Sequence, residues 1–319
     1  MIARERANIP VYHWHPEGVE GVMRISVTGS SGLIGSALVR LLAAERHEVG
    51  RVVRSTAPEG ARRWDPGAGH VDAAAVNGVD AVVHLAGENI AAGRWSAARK
   101  ARIRVSRERG TRVVAEAVAG ADPRPQALLC ASATGFYGDR GEETLAESSA
   151  PGRGFLAEVS RAWEDACAPA RDRGVRVVNL RFGIVLSPAG GALAKMLLPF
   201  RLGAGGVFGT GRQWWSWVSL DDAVGAIRHA LATPALAGPV NVVAPNPVTN
   251  AEFTRTLGRV LARPTLFPVP APLARLALGE MADALLLASA RIVPQRLQET
   301  GYVFRHPELE GALRHLLGR

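Results

Sequence analysis

Short apolar runs alternate with longer amphipathic segments along most of the chain. The apolar runs predict strands beginning near residues 25, 48, 81, 127 and 175, and the segments between them predict helices over about 33–45, 97–119 and 155–173. Strands that are buried on both faces appear as continuous apolar runs, and their alternation with helices is typical of a parallel sheet. The pattern therefore predicts an α/β fold with a doubly wound parallel Rossmann sheet.

The pattern changes after Ser187, where a glycine-rich stretch over 203–211 follows no predicted strand. Such a stretch is typical of a loop. The predicted organisation is an N-terminal extension over 1–22, a Rossmann domain over 23–186 and a smaller C-terminal, substrate-type region over 187–319. A strand near 240–243 is expected to return from that last region to the main sheet.

The turn between the first strand and the first helix carries three glycines in the spacing G-x-x-G-x-x-G. In this context the first glycine allows a tight turn, the second allows a pyrophosphate to approach the backbone, and the third allows the helix to pack close to the sheet. The free N–H groups of the helix N-terminus favour an anion. The residues predicted to form this dinucleotide site are Gly29, Ser31, Gly32, Leu33, Ile34 and Gly35.

The end of the second strand indicates which dinucleotide is bound. A site for NAD is expected to place a carboxylate there, on the ribose 2′-hydroxyl, whereas this chain has Arg54 and Ser55. A guanidinium pairs with a 2′-phosphate and a serine hydroxyl donates to it, so NADP(H) is the predicted cofactor of region 23–186. Glu48 lies at the opposite end of the strand. The alternative is that Arg54 is a solvated surface charge.

Composition excludes several classes of protein. With 319 residues and 47% hydrophobic content the chain can bury a large core. It has no apolar run of 18 residues and no signal-peptide pattern, so a cytoplasmic protein with no membrane partner is expected. Cys130 and Cys167 are too far apart for a disulfide framework or a zinc motif, and His13 with His15 lacks a third ligand, so no metal site is predicted.

The formal net charge of +9 raises the question of nucleic-acid binding. Part of the excess lies in one segment that also carries Ile103, Gly110, Val113 and Val114. Its basic residues are Arg94, Arg99, Lys100, Arg102, Arg104, Arg107, Arg109 and Arg112. The interleaved apolar positions predict an exposed amphipathic helix with a solvated basic face, and no nucleic-acid-binding motif accompanies it. No nucleic-acid partner is predicted.

Several segments in the same order resemble the extended short-chain dehydrogenase/reductase superfamily, and in particular its atypical epimerase-family branch, which is NAD-dependent epimerase/dehydratase-like. The resemblance covers residues 23–319. The matching segments are 29–35, 83–90, 131–138, 155–158, 163–164, 180–186, 198–200 and 217–222. Residues 294–297 and 301–302 resemble the small C-terminal tail domain of that branch.

The resemblance implies further cofactor contacts. Residues expected beside the adenosine and pyrophosphate are Leu85, Ala86 and Gly87, and Glu88 and Arg94 are expected to hold the cofactor or close over it. Ala131 and Ser132 are expected beneath the nicotinamide, and Arg181 and Gly183 beside its carboxamide.

The chain departs from the family in its catalytic pair. Active members use a Tyr-x-x-x-Lys pair, in which the lysine lowers the tyrosine pKa. Here none of the three tyrosines, Tyr12, Tyr137 and Tyr302, has a lysine four residues later, and the matching helix positions hold Leu156 and Ser160. Candidates for a substitute proton donor are Ser132, Tyr137, Glu158 and Glu147.

Two functions are consistent with these features. One is an NADP(H)-dependent oxidoreductase or epimerase with a substitute donor, and the other is a non-catalytic NADP-binding sensor or scaffold. A group of aromatic and cationic residues favours the enzyme, because it resembles a pocket for a small anionic substrate. These residues are Trp214, Trp215, Trp217, Lys195, Arg201, Arg212 and Gln213. The alternative is that the tryptophans belong to the core. No motif specifies the oligomeric state.

Overall fold

The structure, a computed structural model, describes residues 21–54 and 61–319. The predicted N-terminal extension, except for its last two residues, lies outside the described residues, and so does Ser55.

Strands and helices alternate through the first two thirds of the described chain. The strands are β1 (Arg24–Thr28), β2 (Glu48–Val53), β3 (Arg62–Asp65), β4 (His70–Val71), β5 (Ala81–His84), β6 (Ala127–Ala133), β7 (Thr144–Leu145), β8 (Arg176–Phe182), β9 (Ile184–Ser187), β10 (Trp214–Trp215), β11 (Trp217–Ser219), β12 (Gly238–Val242), β13 (Val248–Thr249) and β14 (Arg291–Ile292). The helices are α1 (Leu33–Ala44), α2 (Ala97–Gly120), α3 (Phe155–Asp165), α4 (Ala168–Asp172), α5 (Gly191–Arg201), α6 (Leu220–Ala232), α7 (Asn250–Leu261), α8 (Ala271–Leu278), α9 (Glu280–Ala282), α10 (Gln295–Glu299) and α11 (Leu309–Leu317).

The main sheet confirms the predicted doubly wound α/β fold. Its strand order is β12-β8-β6-β5-β1-β2-β3-β4, and every neighbouring pair is parallel except β3 with β4 at one edge. The chain leaves β1 for β2 on one side and later places β5 on the other side. The carboxyl ends of β1 and β5 therefore flank the crevice at which such sheets bind ligands.

One predicted helix differs from the structure. The helix predicted over 155–173 is divided into α3 and α4, with Pro169 in the first turn of α4. Proline has no N–H to donate to the preceding turn, and its ring clashes with a helical carbonyl. As a result of this break, only α3 of the two helices borders the crevice.

The core lies on both faces of the main sheet. The central positions Val27, Val83, Leu129 and Val178 have no exposed surface, as expected for parallel strands covered on both sides. Helix α6 contributes Ala223, Val224, Ala226 and Ile227 to the same core. Through α6 and β12, the C-terminal region therefore contributes directly to the main sheet and to the core that covers it.

A second hydrophobic cluster supports the C-terminal region. It is centred on the buried side chains of Trp217, Phe253, Leu257 and Leu313. Short strand pairs outside the main sheet join this region to earlier segments of the chain, since β11 runs beside β9 and β14 runs beside β7. Within the described ranges, no helix combines enough length with enough hydrophobicity to cross a membrane.

A buried carboxylate joins the start of α6 to the C-terminal tail. The N-cap of α6 is Ser219, whose Oγ accepts a hydrogen bond from the Asp222 N–H at 2.9 Å. The carboxylate of Asp222, which has no exposed surface, accepts hydrogen bonds from Ser219 Oγ, Tyr302 Oη and the N–H groups of Arg305 and His306 at 2.7–3.2 Å.

We expect Asp222→Ala to lower the free energy of unfolding by about 2–4 kcal/mol, because several buried donors lose their acceptor together. Urea denaturation followed by circular dichroism measures the change. The matched control is Asp221→Ala, since Asp221 is partly exposed and pairs with His315 at 2.9 Å. A surface pair of this kind contributes at most about 1 kcal/mol. Equal losses in the two variants would contradict the structural role of Asp222.

Candidate functional site

The glycine loop after β1 turns within van der Waals distance of the chain that follows β5. Gly29 has a φ of +67°, and a Cβ there would lie 2.8 Å from the backbone nitrogen of Ala86. A Cβ at Gly35 would lie 2.2 Å from the carbonyl oxygen of Gly29. Since real Cβ atoms do not approach backbone this closely, both positions require glycine.

Gly32 differs from Gly29 and Gly35 because its open side faces the crevice. A Cβ at Gly32 would meet only the carbonyl oxygen of Gly29, at 3.2 Å. Gly32 is also the N-cap of α1, whose first turn has neither a side-chain cap nor an acidic residue. The free N–H groups and the positive end of the helix dipole therefore fit a pyrophosphate at this point.

A cleft of about 1480 Å³ begins at this loop and runs along the carboxyl ends of the parallel strands to the C-terminal region. The sequence-predicted cofactor residues that line it are Gly29, Gly32, Leu33, Ile34, Gly35, Leu85, Gly87, Glu88, Arg94, Ala131, Ser132 and Gly183. Those that do not line it are Ser31, Arg54, Ala86 and Arg181. Ser31 and Arg54 are exposed, while Ala86 is half-buried beside Gly29.

Ser132 is the predicted catalytic residue that the structure brings to the cleft. It is buried at the end of β6, and its hydroxyl donates a hydrogen bond to Glu164 Oε1 at 2.7 Å. Arg181 holds the same carboxylate in a two-pronged pair, with Nε to Oε1 at 2.7 Å and Nη2 to Oε2 at 2.8 Å. The hydrogen of Ser132 is thus committed to Glu164, and its oxygen lone pairs remain for a ligand.

Arg181 and Tyr137 lie behind the wall of the cleft rather than in it. The guanidinium of Arg181 stacks on Phe136, 3.5 Å from its ring centre, and donates to Tyr137 Oη at 2.9 Å. Tyr137 in turn donates to Asn241 Oδ1 at 2.7 Å. Burial raises the pKa of Tyr137, an effect that the nearby guanidinium of Arg181 partly opposes. Tyr137 therefore stays protonated and serves the buried network.

The two glutamates that the sequence suggests as donors are also outside the cleft lining. The side chain of Glu158 is 60% exposed and pairs with Arg104 at 3.0 Å, so the structure does not bring it to Ser132. Glu147 is buried and accepts from the Asn241 N–H at 3.0 Å. Burial raises the pKa of Glu147. Leu156 and Ser160, which the resemblance matches to the tyrosine and lysine positions, do line the cleft.

Only some of the predicted aromatic and cationic residues line the far end of the cleft. Trp214, Trp215 and Lys195 line the cleft, and Lys195 Nζ donates to the carbonyl oxygen of Ala91 at 2.7 Å. Trp217 is fully buried in the second hydrophobic cluster. The remaining predicted members, Arg201, Arg212 and Gln213, do not line the cleft.

Sequence reasoning missed Arg107 and Trp163, which face each other across the cleft wall. The sequence pattern predicts that Arg107 belongs to a solvated basic face, yet its Cζ lies 4.7 Å from the ring centre of Trp163. A signal for this placement exists in the helical spacing. Arg107 follows Ile103 by four residues and precedes Gly110 by three, and both are buried on α2, so Arg107 belongs to the inward stripe of the helix.

Comparisons with known proteins agree with this architecture. Residues 25–243 match the model of the NAD dependent epimerase/dehydratase family, and residues 269–316 match a domain of unknown function, DUF1731. The chain is 46% identical to the epimerase family protein Mb2239 of Mycobacterium bovis over 91% of this chain and 96% of that protein.

Solved structures show the same likeness. The crystal structure of human epimerase family protein SDR39U1 with NADPH has a TM-score of 0.86 and 36% identity, covering 93% of this chain and 99% of that one. A nucleoside-diphosphate sugar epimerase from Corynebacterium glutamicum has a TM-score of 0.78 and 39% identity, covering 93% of this chain and 59% of that one. The resemblance predicted from the sequence is confirmed, and this chain belongs to the NAD-dependent epimerase/dehydratase family, with a Rossmann-type fold for a nicotinamide dinucleotide.

Proposed function

We propose that this protein is an NADP(H)-dependent oxidoreductase or epimerase that acts on a small, anionic hydroxyl or carbonyl compound. The observation that carries the proposal is the continuity of one cleft, which joins the glycine loop to Ser132 and then to the aromatic wall of the C-terminal region. A cofactor held at the first end reaches a substrate held at the second end without leaving the cleft.

The choice of NADP(H) over NAD(H) rests on Arg54. Arg54 follows β2, and β2 is paired in parallel with β1, so Arg54 lies on the same edge of the sheet as the glycine loop. A guanidinium there is suited to a 2′-phosphate. The human relative that was crystallised with NADPH supports the same choice.

The chemistry at the substrate end depends on the chain's own hydrogen bonds. When bound, the nicotinamide supplies or removes a hydride at a substrate carbon. Because Ser132 donates to Glu164, its oxygen accepts a hydrogen bond from a substrate hydroxyl and orients it. Lys195, at the rim of the cleft, attracts the anionic group of the substrate.

A second candidate function is a non-catalytic NADP-binding sensor or scaffold. The observation that favours it is the apolar Leu156 in the position where the family has its catalytic tyrosine, with Ser160 in the position of the lysine. A panel assay of turnover separates the two functions.

We expect Arg54→Ala to remove most of the preference for NADP(H). A charge-assisted contact to the 2′-phosphate contributes on the order of 1.5–3 kcal/mol, so the Kd for NADPH should rise about tenfold or more while the Kd for NADH changes little. Calorimetric titration with both nucleotides measures the two values. Equal affinities of the unaltered protein for NADPH and NADH would rule out this role of Arg54.

Gly32→Val should abolish dinucleotide binding and leave the protein folded, because the added side chain would occupy the crevice rather than the core. Fluorescence titration with NADPH and thermal unfolding are the two measurements. Retained NADPH binding in a folded variant would show that the loop does not hold the pyrophosphate.

Ser132→Ala should lower kcat by about 10- to 100-fold, since the substrate hydroxyl loses its oriented acceptor in the cleft. Glu158→Gln should leave kcat within about twofold, because this side chain pairs with Arg104 on the surface. The assay uses NADPH or NADP⁺ with a panel of carbonyl compounds, hydroxy acids and nucleotide sugars. An absence of turnover across the panel, with tight NADPH binding, would favour the sensor or scaffold.

A further inference from the structure

The guanidinium of Arg107 lies in the middle of the cleft wall. It extends from α2 and stacks on Trp163 of α3, and a Cβ added to Gly87 would lie 3.7 Å from its Cζ. Gly87 follows β5, and β5 runs between β1 with the glycine loop and β6 with Ser132. Arg107 therefore lies between the two functional ends of the cleft.

The charge of Arg107 is not matched by a carboxylate. Its Nη1 donates to the carbonyl oxygens of Glu88 and Ile103, at 3.0 and 3.3 Å. The carboxylate of Glu88 lies 3.8 Å from both Arg99 and Arg102, and no ion pair within 4.0 Å joins Arg107 to any described residue. Among residues 21–54 and 61–319, nothing accepts from its Nε or Nη2, and neither atom is buried.

Desolvation makes this arrangement unfavourable without a ligand. Burial lowers the pKa of Arg107 to about 10, and the more distant charge of Glu88 only partly opposes the effect. A partly desolvated cation with free donors gains most from an oxygen-rich anion. The two N–H positions left open, Nε and Nη2, form one edge of the planar guanidinium, which matches two oxygens of a phosphate.

Two other arginines of the described chain that burial desolvates, Arg181 and Arg176, differ in this respect. Arg181 gives the Nε and Nη2 edge of its guanidinium to Glu164 and its Nη1 to Tyr137. Arg176 donates to four carbonyl oxygens around the end of α6, among them those of Ala230 and Leu236 at 2.9 Å each. Both therefore have structural partners, and Arg107 alone of the three presents unused donors to the cleft.

We propose that Arg107 forms an anion-binding subsite for the pyrophosphate that NADPH and NADH share, an inference that rests on the proposed function. It supplies a cation from α2, and Trp163 of α3 supports the guanidinium. The glycine loop binds the pyrophosphate from one side, and Arg107 binds it from the other.

The test compares Arg107→Gln with the matched control Arg112→Gln, an exposed arginine on the same helix. Calorimetric titrations with NADPH and with NADH are expected to show the Kd rising about tenfold or more for both nucleotides in Arg107→Gln, with their ratio unchanged. Arg112→Gln should stay within about twofold of the unaltered protein. Affinities within twofold in a folded Arg107→Gln would overturn the proposal.

ADP-ribose identifies the group that Arg107 binds, because it carries the pyrophosphate without the nicotinamide. A comparable loss of ADP-ribose affinity in Arg107→Gln supports the pyrophosphate contact. Undiminished ADP-ribose binding together with weakened NADPH binding would overturn it and assign Arg107 to the nicotinamide end or to a substrate anion.

Arg107→Lys keeps the proposal testable if the glutamine variant does not fold, since lysine retains the charge and the apolar stem but not the two-pronged geometry. It should weaken NADPH and NADH binding by about threefold or more, and unchanged affinities would overturn the proposal. Failure of the proposed function would give a different result, because the unaltered protein itself would then not bind NADPH.

Discussion

The buried ion pair between Glu164 and Arg181 organises the carboxyl end of the central sheet. Removing two charges from water is costly, and the cost is offset only where good geometry and further hydrogen bonds satisfy both partners. Here Arg181 uses its Nε and Nη2 edge for Glu164 and its Nη1 for Tyr137, while Glu164 also accepts from Ser132. The pair thereby ties α3 to the ends of β6 and β8.

The same network extends into the C-terminal region. Tyr137 donates to Asn241 on β12, and the N–H of Asn241 donates to Glu147, whose carboxylate also accepts from the Arg296 N–H at 3.3 Å. Each of these polar groups is buried, and leaving one without a hydrogen-bond partner would cost folding free energy. This chain of contacts joins the end of β6 to β12 and the C-terminal region.

The network also explains the distribution of chemistry around the cleft. Arg181 and Glu164 neutralise each other behind the wall, and the polar groups that reach the cavity beside them include Ser132, with free lone pairs, and Arg107, with free donors. Helix α3 contributes Leu156, Ser160 and the support of Trp163.

The sequence by itself determined the sheet, the glycine loop and the family. Continuous apolar runs can be buried only as central strands, and the spacing of Gly29, Gly32 and Gly35 is a local property of one turn. The position of Arg54 is equally local, because it is given by where the second strand ends. The break between α3 and α4 also has a local cause, Pro169, which the helical periodicity around it concealed.

Only the tertiary structure decided which side chains face the cleft. Glu158 and Ser160 are two residues apart on α3, yet one is paired on the surface and the other lines the cavity. Trp215 and Trp217 both belong to the second hydrophobic cluster, yet only Trp215 also lines the cleft. In the sequence Arg107 resembles the other basic residues of α2, and what distinguishes it is Trp163, 56 positions later. The orientation and pairing of a side chain depend on partners distant in the chain, and no local pattern encodes those partners.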